Sequence, residues 1–566
     1  MTGNLIDALC NGVDGGRMMH DLTALARWAK LSSTPTELES LRHVQQLMDE
    51  AGYRTALLSH NAWISLPGPT RVTVDGKELP AITHSMSLSS PPGGLSGRLA
   101  DVGEGRDADL AGRDLAGCIL LVDGIASPAF AERAARAGAA GQLHVSPHEH
   151  LHEMCISPVW GSPSADTAEH LPRTVAVTVS QADGQALRAR LKRGEAAVVV
   201  LHAAVDTGWR PTPLLVAELE APGAGPEDPF ILLSGHHDTW FEGVMDNGAA
   251  NVTMVEAARL LAGRRTSWKR GLRICFWSGH SQGRYSGSAW YVDHHWDELE
   301  RRCAVHVNVD STGGAGATEM GEAGSSAELA ALARDAIQAR TGQVHRGNRM
   351  GRNGDQSFWG VGVPSLFSTM SQQPPGPLRM RHALGWWWHT PGDLLDKIDP
   401  ALLVRDTQVY VHAIGRLLTD RVLPLDLAAS ATALLEALEG LRAAAGHGVA
   451  LDATIAAAET LRVTAAATML RAQEDQGVDA AAVDAALMRA TRALVPLDYT
   501  LGDRFAHDPA LPLPAWPVLE PVRKLVAAEL GSDAARLLAV SAIRARNRVS
   551  HALHDAQLAL ESSGAL

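Results

Sequence analysis

The strongest constraint on this chain is a rhythm between Thr212 and about Leu423. Apolar runs at 230–234, 273–277, 304–309 and 364–367 alternate with helical patterns that begin near Asn251, span 327–339 and start again at about Pro400. Strands that are buried on both faces read as unbroken apolar runs, and a strand, loop, helix repeat places them in one sheet with helices on both faces. The expected fold class is therefore α/β, a mostly parallel twisted sheet flanked by helices. In such sheets ligands gather beyond the carboxyl ends of the strands.

The 566 residues exceed what one ordinary core accommodates, so the sheet is expected to share the chain with other units. Thr34-Pro35-Thr36-Glu37 supplies an N-cap, a first-turn proline and a capping-box glutamate. Leu38, Leu41, Val44, Leu47 and Met48 continue one apolar face up to Gly52. From Thr55 the pattern shortens to strand-like pieces broken by Pro67-Gly68-Pro69, Asp75-Gly76 and Pro91-Pro92-Gly93-Gly94. Strands and helices alternate through 117–211, which predicts a compact α+β unit. After Pro424 the chain is Ala- and Leu-rich, with Leu434, Leu438 and Leu441, and later Leu537, Val540 and Ile543, at helical spacing; this predicts a helical bundle. Three units follow: 1–60 with 212–423 around one sheet, an insertion at 61–211, and a helical tail at 424–566.

Chemistry concentrates at Gly235-His236-His237-Asp238-Thr239-Trp240-Phe241-Glu242-Gly243-Val244-Met245-Asp246-Asn247. An apolar strand runs directly into a His-x-Asp, and a second aspartate follows just before a helix. Asp310 closes the run 305–309, and His389 follows Trp386-Trp387-Trp388. Imidazole plus carboxylate is the ligand set of hydrolytic zinc, manganese or iron sites that keep a water position open.

This order and spacing resemble the co-catalytic zinc aminopeptidase family that includes glutamate carboxypeptidase II and the transferrin receptor. The resemblance implies that His236 and Asp310 are ligands of one metal, that Asp246 is the bridging carboxylate and that His389 is a ligand of a second metal. It also implies that Asp238 orients His236. Gly354-Asp355-Gln356-Ser357-Phe358 is similar to a further family stretch, with Gln356 where His is usual. The larger family members carry a protease-associated domain inserted early and a helical dimerisation domain at the end. The resemblance thus identifies 61–211 as a protease-associated (apical) domain roofing the cleft, and 424–566 as the interface of a homodimer.

One segment departs from the pattern. The family has Trp-Asp-x-Glu-Glu-x-Gly after the next strand, where this chain has Trp277-Ser278-Gly279-His280-Ser281-Gln282-Gly283. The general-base Glu is replaced by His280 and the ligand Glu by Ser281, a weak ligand. His280 can act as general base near neutral pH or can coordinate the ion; if it coordinates, Glu242 is the nearest spare carboxylate for proton transfer. The expected cofactor is one or two divalent ions, zinc first, with manganese or iron as alternatives.

Trp240 and Trp388 place aromatic bulk beside the ligands and are candidates for lining a substrate pocket. No Arg pair corresponds to the glutamate-recognising patch of glutamate carboxypeptidase II, so a glutamate-tailed substrate is not implied. His148, His150 and His152 would share one face of a strand, but the preferred reading is a solvated or site-facing loop of the insertion.

The expected activity is metal-dependent hydrolysis of an amide bond in a small or peptide-like substrate. The competing class is a non-catalytic, receptor-like protein that keeps a structural metal. A formal charge of -13 is the wrong sign for a nucleic-acid binder. No stretch approaches the apolar length that crosses a bilayer, and the five cysteines are scattered without CxxC spacing. The expected location is the cytoplasm.

Overall fold

The computed structural model describes residues 2–195, 197–352, 354–376 and 383–565. Its strands are β1 (Arg54–Val74), β2 (Lys77–Thr83), β3 (Leu95–Gly97), β4 (Leu99–Asp101), β5 (Ile119–Asp123), β6 (Gly141–Val145), β7 (Val175–Val179), β8 (Val199–Leu219), β9 (Phe230–His236), β10 (Gly271–Trp277), β11 (Cys303–Asn308) and β12 (Ser365–Leu366). Hydrogen bonding connects them in the order β12, β11, β9, β10, β8, β1, β2, β7, β6, β5, β4, with β3 against β8.

The expected α/β architecture is present. β9, β10, β11 and β12 are parallel, and β8 joins β10 antiparallel. Every residue of β9, β10 and β11 is buried, and alternate side chains enter different cores. Ile231 and Leu233 pack with Leu261 and Val409 from helices Ala250–Ala262 and Pro400–Thr419, whereas Phe230 and Leu232 pack with Trp277, Tyr291 and Val292. A strand covered on both sides reads as a largely apolar run, and the polar residues of β11, His306 and Asn308, are accommodated by the Ser234 hydroxyl of β9.

The predicted start of helix Pro35–Glu50 is realised. Thr34 Oγ1 accepts from the Glu37 amide, and Glu37 Oε2 returns to accept from the Ser33 amide at 2.6 Å. β1 and β8 are each 21 residues long and pair antiparallel almost throughout, with one irregularity between Pro67 and Thr70. The expected seams of the insertion face each other inside this ribbon, His60 opposite Thr212. Beyond it, β4 to β7 form a parallel set with helices Pro128–Arg136 and Gln181–Lys192.

The tail is helical as predicted: Leu427–Glu439, Asp452–Glu474, Ala480–Tyr499, Glu520–Val526 and Asp533–Glu561. Leu434 and Leu438 are buried in the bundle. The last helix departs from the sequence reading. It buries Ala535, Ala542, Ala545, Val549, Ala552, Leu553 and Ala556, and leaves Leu537, Val540 and Ile543 exposed. Both sets repeat at helical spacing, and the small alanines allow the neighbouring helices to approach closely.

Candidate metal centre

Three adjacent parallel strands deliver three side chains to one point. Asp310 lies just beyond β11, His236 ends β9, and His280 sits in the turn after β10, beyond Trp277, which pairs with His236. The ligand atoms that His236, His280 and Asp310 can offer all lie within 4.8 Å of one another. Gly279 makes the turn possible with φ 78°.

Each histidine that reaches the centre has its Nδ1 committed. His236 Nδ1 donates to the carbonyl of Asp238 at 2.7 Å, His389 Nδ1 to the carbonyl of Glu153 at 2.7 Å, and His280 Nδ1 to Asp355 Oδ2 at 2.8 Å. A donating Nδ1 leaves the Nε2 lone pair free, which is the tautomer that coordinates a metal. Asp246 spans two of the imidazoles, with Oδ1 3.0 Å from His236 Nε2 and Oδ2 3.1 Å from His389 Nε2. His236 Nε2 is also 3.8 Å from Asp310 Oδ1.

His236 Nε2, Asp246 Oδ1 and Ser281 Oγ are buried and have no hydrogen-bond partner. Buried polar atoms left without a hydrogen-bond partner cost about 1–3 kcal/mol per group, a cost that a bound cation would relieve. Electrostatics agree. Burial works against a charged His236, but Asp246 and Asp310 outweigh it and hold its imidazole well above the ordinary range. Burial likewise raises the Asp246 carboxyl, yet His236 and His389 bring it well below the usual value.

Surrounding groups fix the ligands. Asn247 Nδ2 donates to the carbonyls of His236 and Val309, and its Oδ1 accepts from the Ser311 amide, so one side chain ties β9 to β11. The Asp246-Asn247 peptide is cis. Asp393 accepts from the amides of Met245 and Asp246 at 2.9 and 3.0 Å, and burial pushes its carboxyl up to about 7. The ring of Trp388 stacks on His389 at 3.7 Å and that of Trp240 lies 5.3 Å away; both tryptophans line the cleft.

Two roles change. The Asp238 side chain does not hydrogen-bond His236, its Oδ1 lying 3.9 Å from Nδ1. The Asp238 carbonyl performs that task, while the carboxylate accepts from the amides of His280 and Ser281 and from Ser32 Oγ, bracing the turn that replaces the Glu-Glu pair. Glu242 is not among the residues that line the cleft, and its carbonyl accepts from buried Lys30 Nζ at 2.9 Å. Proximity in sequence does not place its carboxylate at the centre, so the proposed proton-transfer role for Glu242 is not supported by its position.

Residues 61–211 do reach the site. Pro128, Met154 and Cys155 form part of the cleft wall, and Glu153 and His389 exchange reciprocal backbone and side-chain hydrogen bonds. The histidine run is a loop rather than a strand. His148 and His152 are buried, and His150 stacks on Trp386, so its site-facing character holds and its solvation does not. Asp393 and the Glu153 carbonyl were invisible to motif reading, because their value depends on contacts across more than a hundred residues.

Residues 215–414 match Peptidase family M28. The matched stretch contains β9 to β12 together with His236, Asp246, His280, Asp310 and His389. A Zea mays protein described as a probable glutamate carboxypeptidase is 26% identical over 260 residues, covering 40% of this chain and 34% of its own. A glutamate carboxypeptidase 2 homolog of Caenorhabditis briggsae is 32% identical over 92 residues, 16% of this chain and 12% of its own. This chain thus spans about a third or less of the curated relatives it matches. The fold is shared with a zinc aminopeptidase from Bacillus subtilis (TM-score 0.56, 18% identity, 72% of this chain and 96% of that one). It is also shared with an M28 peptidase precursor of Shewanella amazonensis (TM-score 0.58, 19% identity, 74% and 95%).

Proposed function

We propose that the protein is a metal-dependent hydrolase of amide bonds in peptide or peptide-like substrates. The observation that carries this reading is the set of three histidines with Nδ1 committed, of which His236 and His389 present Nε2 to Asp246 while His280 groups with His236 and Asp310 within 4.8 Å. His236, His280 and Asp310 would hold one divalent ion, zinc first, and Asp246 with His389 offers a second position. A bound ion of this kind polarises a scissile carbonyl and lowers the pKa of water toward 7. Asp246 reaches both positions, Asp355 keeps His280 in its coordinating tautomer, and Trp240 and Trp388 shield His389 from bulk water.

His280 is read here as a ligand rather than as the general base, because its Nδ1 is occupied by Asp355 and its ring shares the cluster with His236 and Asp310. The Ser281 hydroxyl, buried in the cleft, is an auxiliary ligand. Residues 61–211 are read as a protease-associated unit that walls the cleft. The exposed Leu537, Val540 and Ile543 stripe supports a homodimer through the tail. No helix among the described residues is long and apolar enough to cross a membrane. All five cysteines are buried and unpaired, which supports a reducing compartment such as the cytoplasm.

The test is hydrolysis of aminoacyl amides, dipeptides and N-acyl amino acids by protein stripped of metal and resupplied with zinc, manganese or iron. Turnover that requires the ion and disappears in His236→Ala and Asp310→Ala is expected. Full activity of the stripped protein, or ion binding without turnover of any amide, would overturn the reading.

A further inference from the structure

Two arginines line the same cleft as the metal ligands, and the hydrolase reading gives them no role. Arg284 lies in the turn that follows His280, and Arg352 comes from the segment before Asp355. They arise from separate stretches of chain, so no motif reveals them as a pair. Arg284 and Tyr285 adopt φ of 50° and 69°, consecutive left-handed conformations without glycine. Such backbone is costly, and tertiary contacts must hold it; here the Arg284 carbonyl accepts from the Gly161 amide.

Both guanidiniums are held by neutral groups. Arg352 Nη2 donates to the carbonyls of Asp508 and Pro509 at 3.0 and 3.2 Å, and Arg284 Nη2 to that of Ala510 at 3.4 Å. Each Nε is buried without a hydrogen-bond partner. No carboxylate oxygen among the described residues comes within 4.0 Å of either guanidinium. An aromatic stack links them to the centre. Arg352 lies over Trp160 at 4.6 Å, Trp160 packs on Tyr285 at 4.4 Å, Arg284 lies over the Tyr285 ring at 4.9 Å, and Tyr285 meets His280 edge-on at 4.8 Å.

Burial lowers the Arg352 guanidinium to about 10, with Asp508 opposing and Arg284 adding repulsion. Two partly buried cations that repel each other, with donors unused and carbonyls fixing their orientation, are an arrangement that an incoming anion completes. The planar forks of arginine match a carboxylate, and the apolar stack supplies the wall against which the rest of a ligand packs.

We propose that Arg284 and Arg352 form a carboxylate subsite in this cleft that selects substrates bearing a carboxylate. This rests on the hydrolase reading for its consequence but not for its binding. The carboxylate is either the free C-terminal group of the substrate or an acidic side chain.

The experiment is calorimetric titration of the full-length, metal-stripped protein with N-acetylglycine, N-acetylglycinamide and N-acetylglutamic acid α-amide. Charge-assisted hydrogen bonds predict that one or both acids bind at least about tenfold more tightly than the neutral amide. N-acetylglycine preferred alone assigns the C-terminal group; the glutamic derivative preferred alone assigns a side chain. Arg284→Gln and Arg352→Gln should each remove the preference with unchanged circular dichroism, and Arg284→Gln alone decides should Arg352→Gln fail to fold. Equal binding of all three probes, or a preference that survives in Arg284→Gln, would overturn the proposal. A preference lost in the variants, in protein that hydrolyses no amide when zinc is resupplied, would support the subsite and refute the hydrolase reading.

Discussion

The imidazoles of His236 and His280 lie face to face, with ring centroids 3.7 Å apart and planes inclined by only 12°. The parallel strands β9 and β10 impose this stacking, because His236 and Trp277 are register partners and His280 follows three residues later. Asp355 fixes the second ring by accepting from its Nδ1. Asp355→Ala should therefore weaken zinc binding by about 10- to 100-fold, the usual cost of losing such a partner. Competition with a chromophoric chelator measures this. Unchanged zinc affinity with a lower turnover would instead make His280 a proton carrier.

Zinc should displace a proton from the stripped protein. The carboxylates of Asp246 and Asp310 hold the His236 imidazole charged against the cost of burial, whereas coordination needs it neutral. About one proton is expected to leave per ion at neutral pH, and zinc affinity should rise with pH. Calorimetry in buffers of different ionisation enthalpy counts that proton, and a count of zero contradicts the assignment of His236.

Glu242→Gln should leave the rate of amide hydrolysis within about twofold, since Glu242 is not among the residues that line the cleft. A loss of several hundredfold would restore Glu242 as the base.

Much of the candidate site was legible because His236 and Asp310 sit where single strands end. His236, Asp246, Asp310 and His389 could be picked out from local pattern and family order. Their partners could not. The Glu153 carbonyl serves His389 from 236 residues away, and Asp393 grips the Asp246 backbone across 147. Glu242 shows the converse, as adjacency along the chain does not put it among the residues that line the cleft. Fold class followed from the alternation of largely apolar runs with helical patterns, but the seams at 60 and 212 fell inside strands because β1 and β8 continue their extended pattern from one set of strands into the other. Leu537, Val540 and Ile543 carry helical periodicity, which marks a face without saying what covers it.

Stability should fall on mild acidification. Burial lowers His60 and His144 to about 4 and His306 to about 3. Unfolded histidines take up protons near pH 6.5, so between that value and about 4 the unfolded chain binds more protons than the native one. Native stability is thus complete above pH 6.5 and is lost as pH falls, on the order of 2 kcal/mol for each histidine. Thermal melts at pH 7.5, 6 and 5 check this; a constant melting temperature would contradict it.

Leu537→Glu should halve the solution mass while leaving the melting temperature within a few degrees. Leu537 is 74% exposed, so its replacement opens no cavity, yet a charge there would spoil an apolar contact between two copies. Analytical ultracentrifugation provides the readout, and a wild-type monomer at micromolar concentration would refute the dimer.

The two long strands β1 and β8 also bear on how the cleft admits its substrate. The wall carrying Met154 and Cys155 is joined to the wall carrying His280 and Asp310 by a hydrogen-bonded ribbon rather than by a pair of slack linkers. Moving one wall relative to the other means bending that ribbon, with the irregularity at Pro67 to Thr70 as its weakest point. Opening or closing of the entrance is thereby coupled to the twist of these two strands.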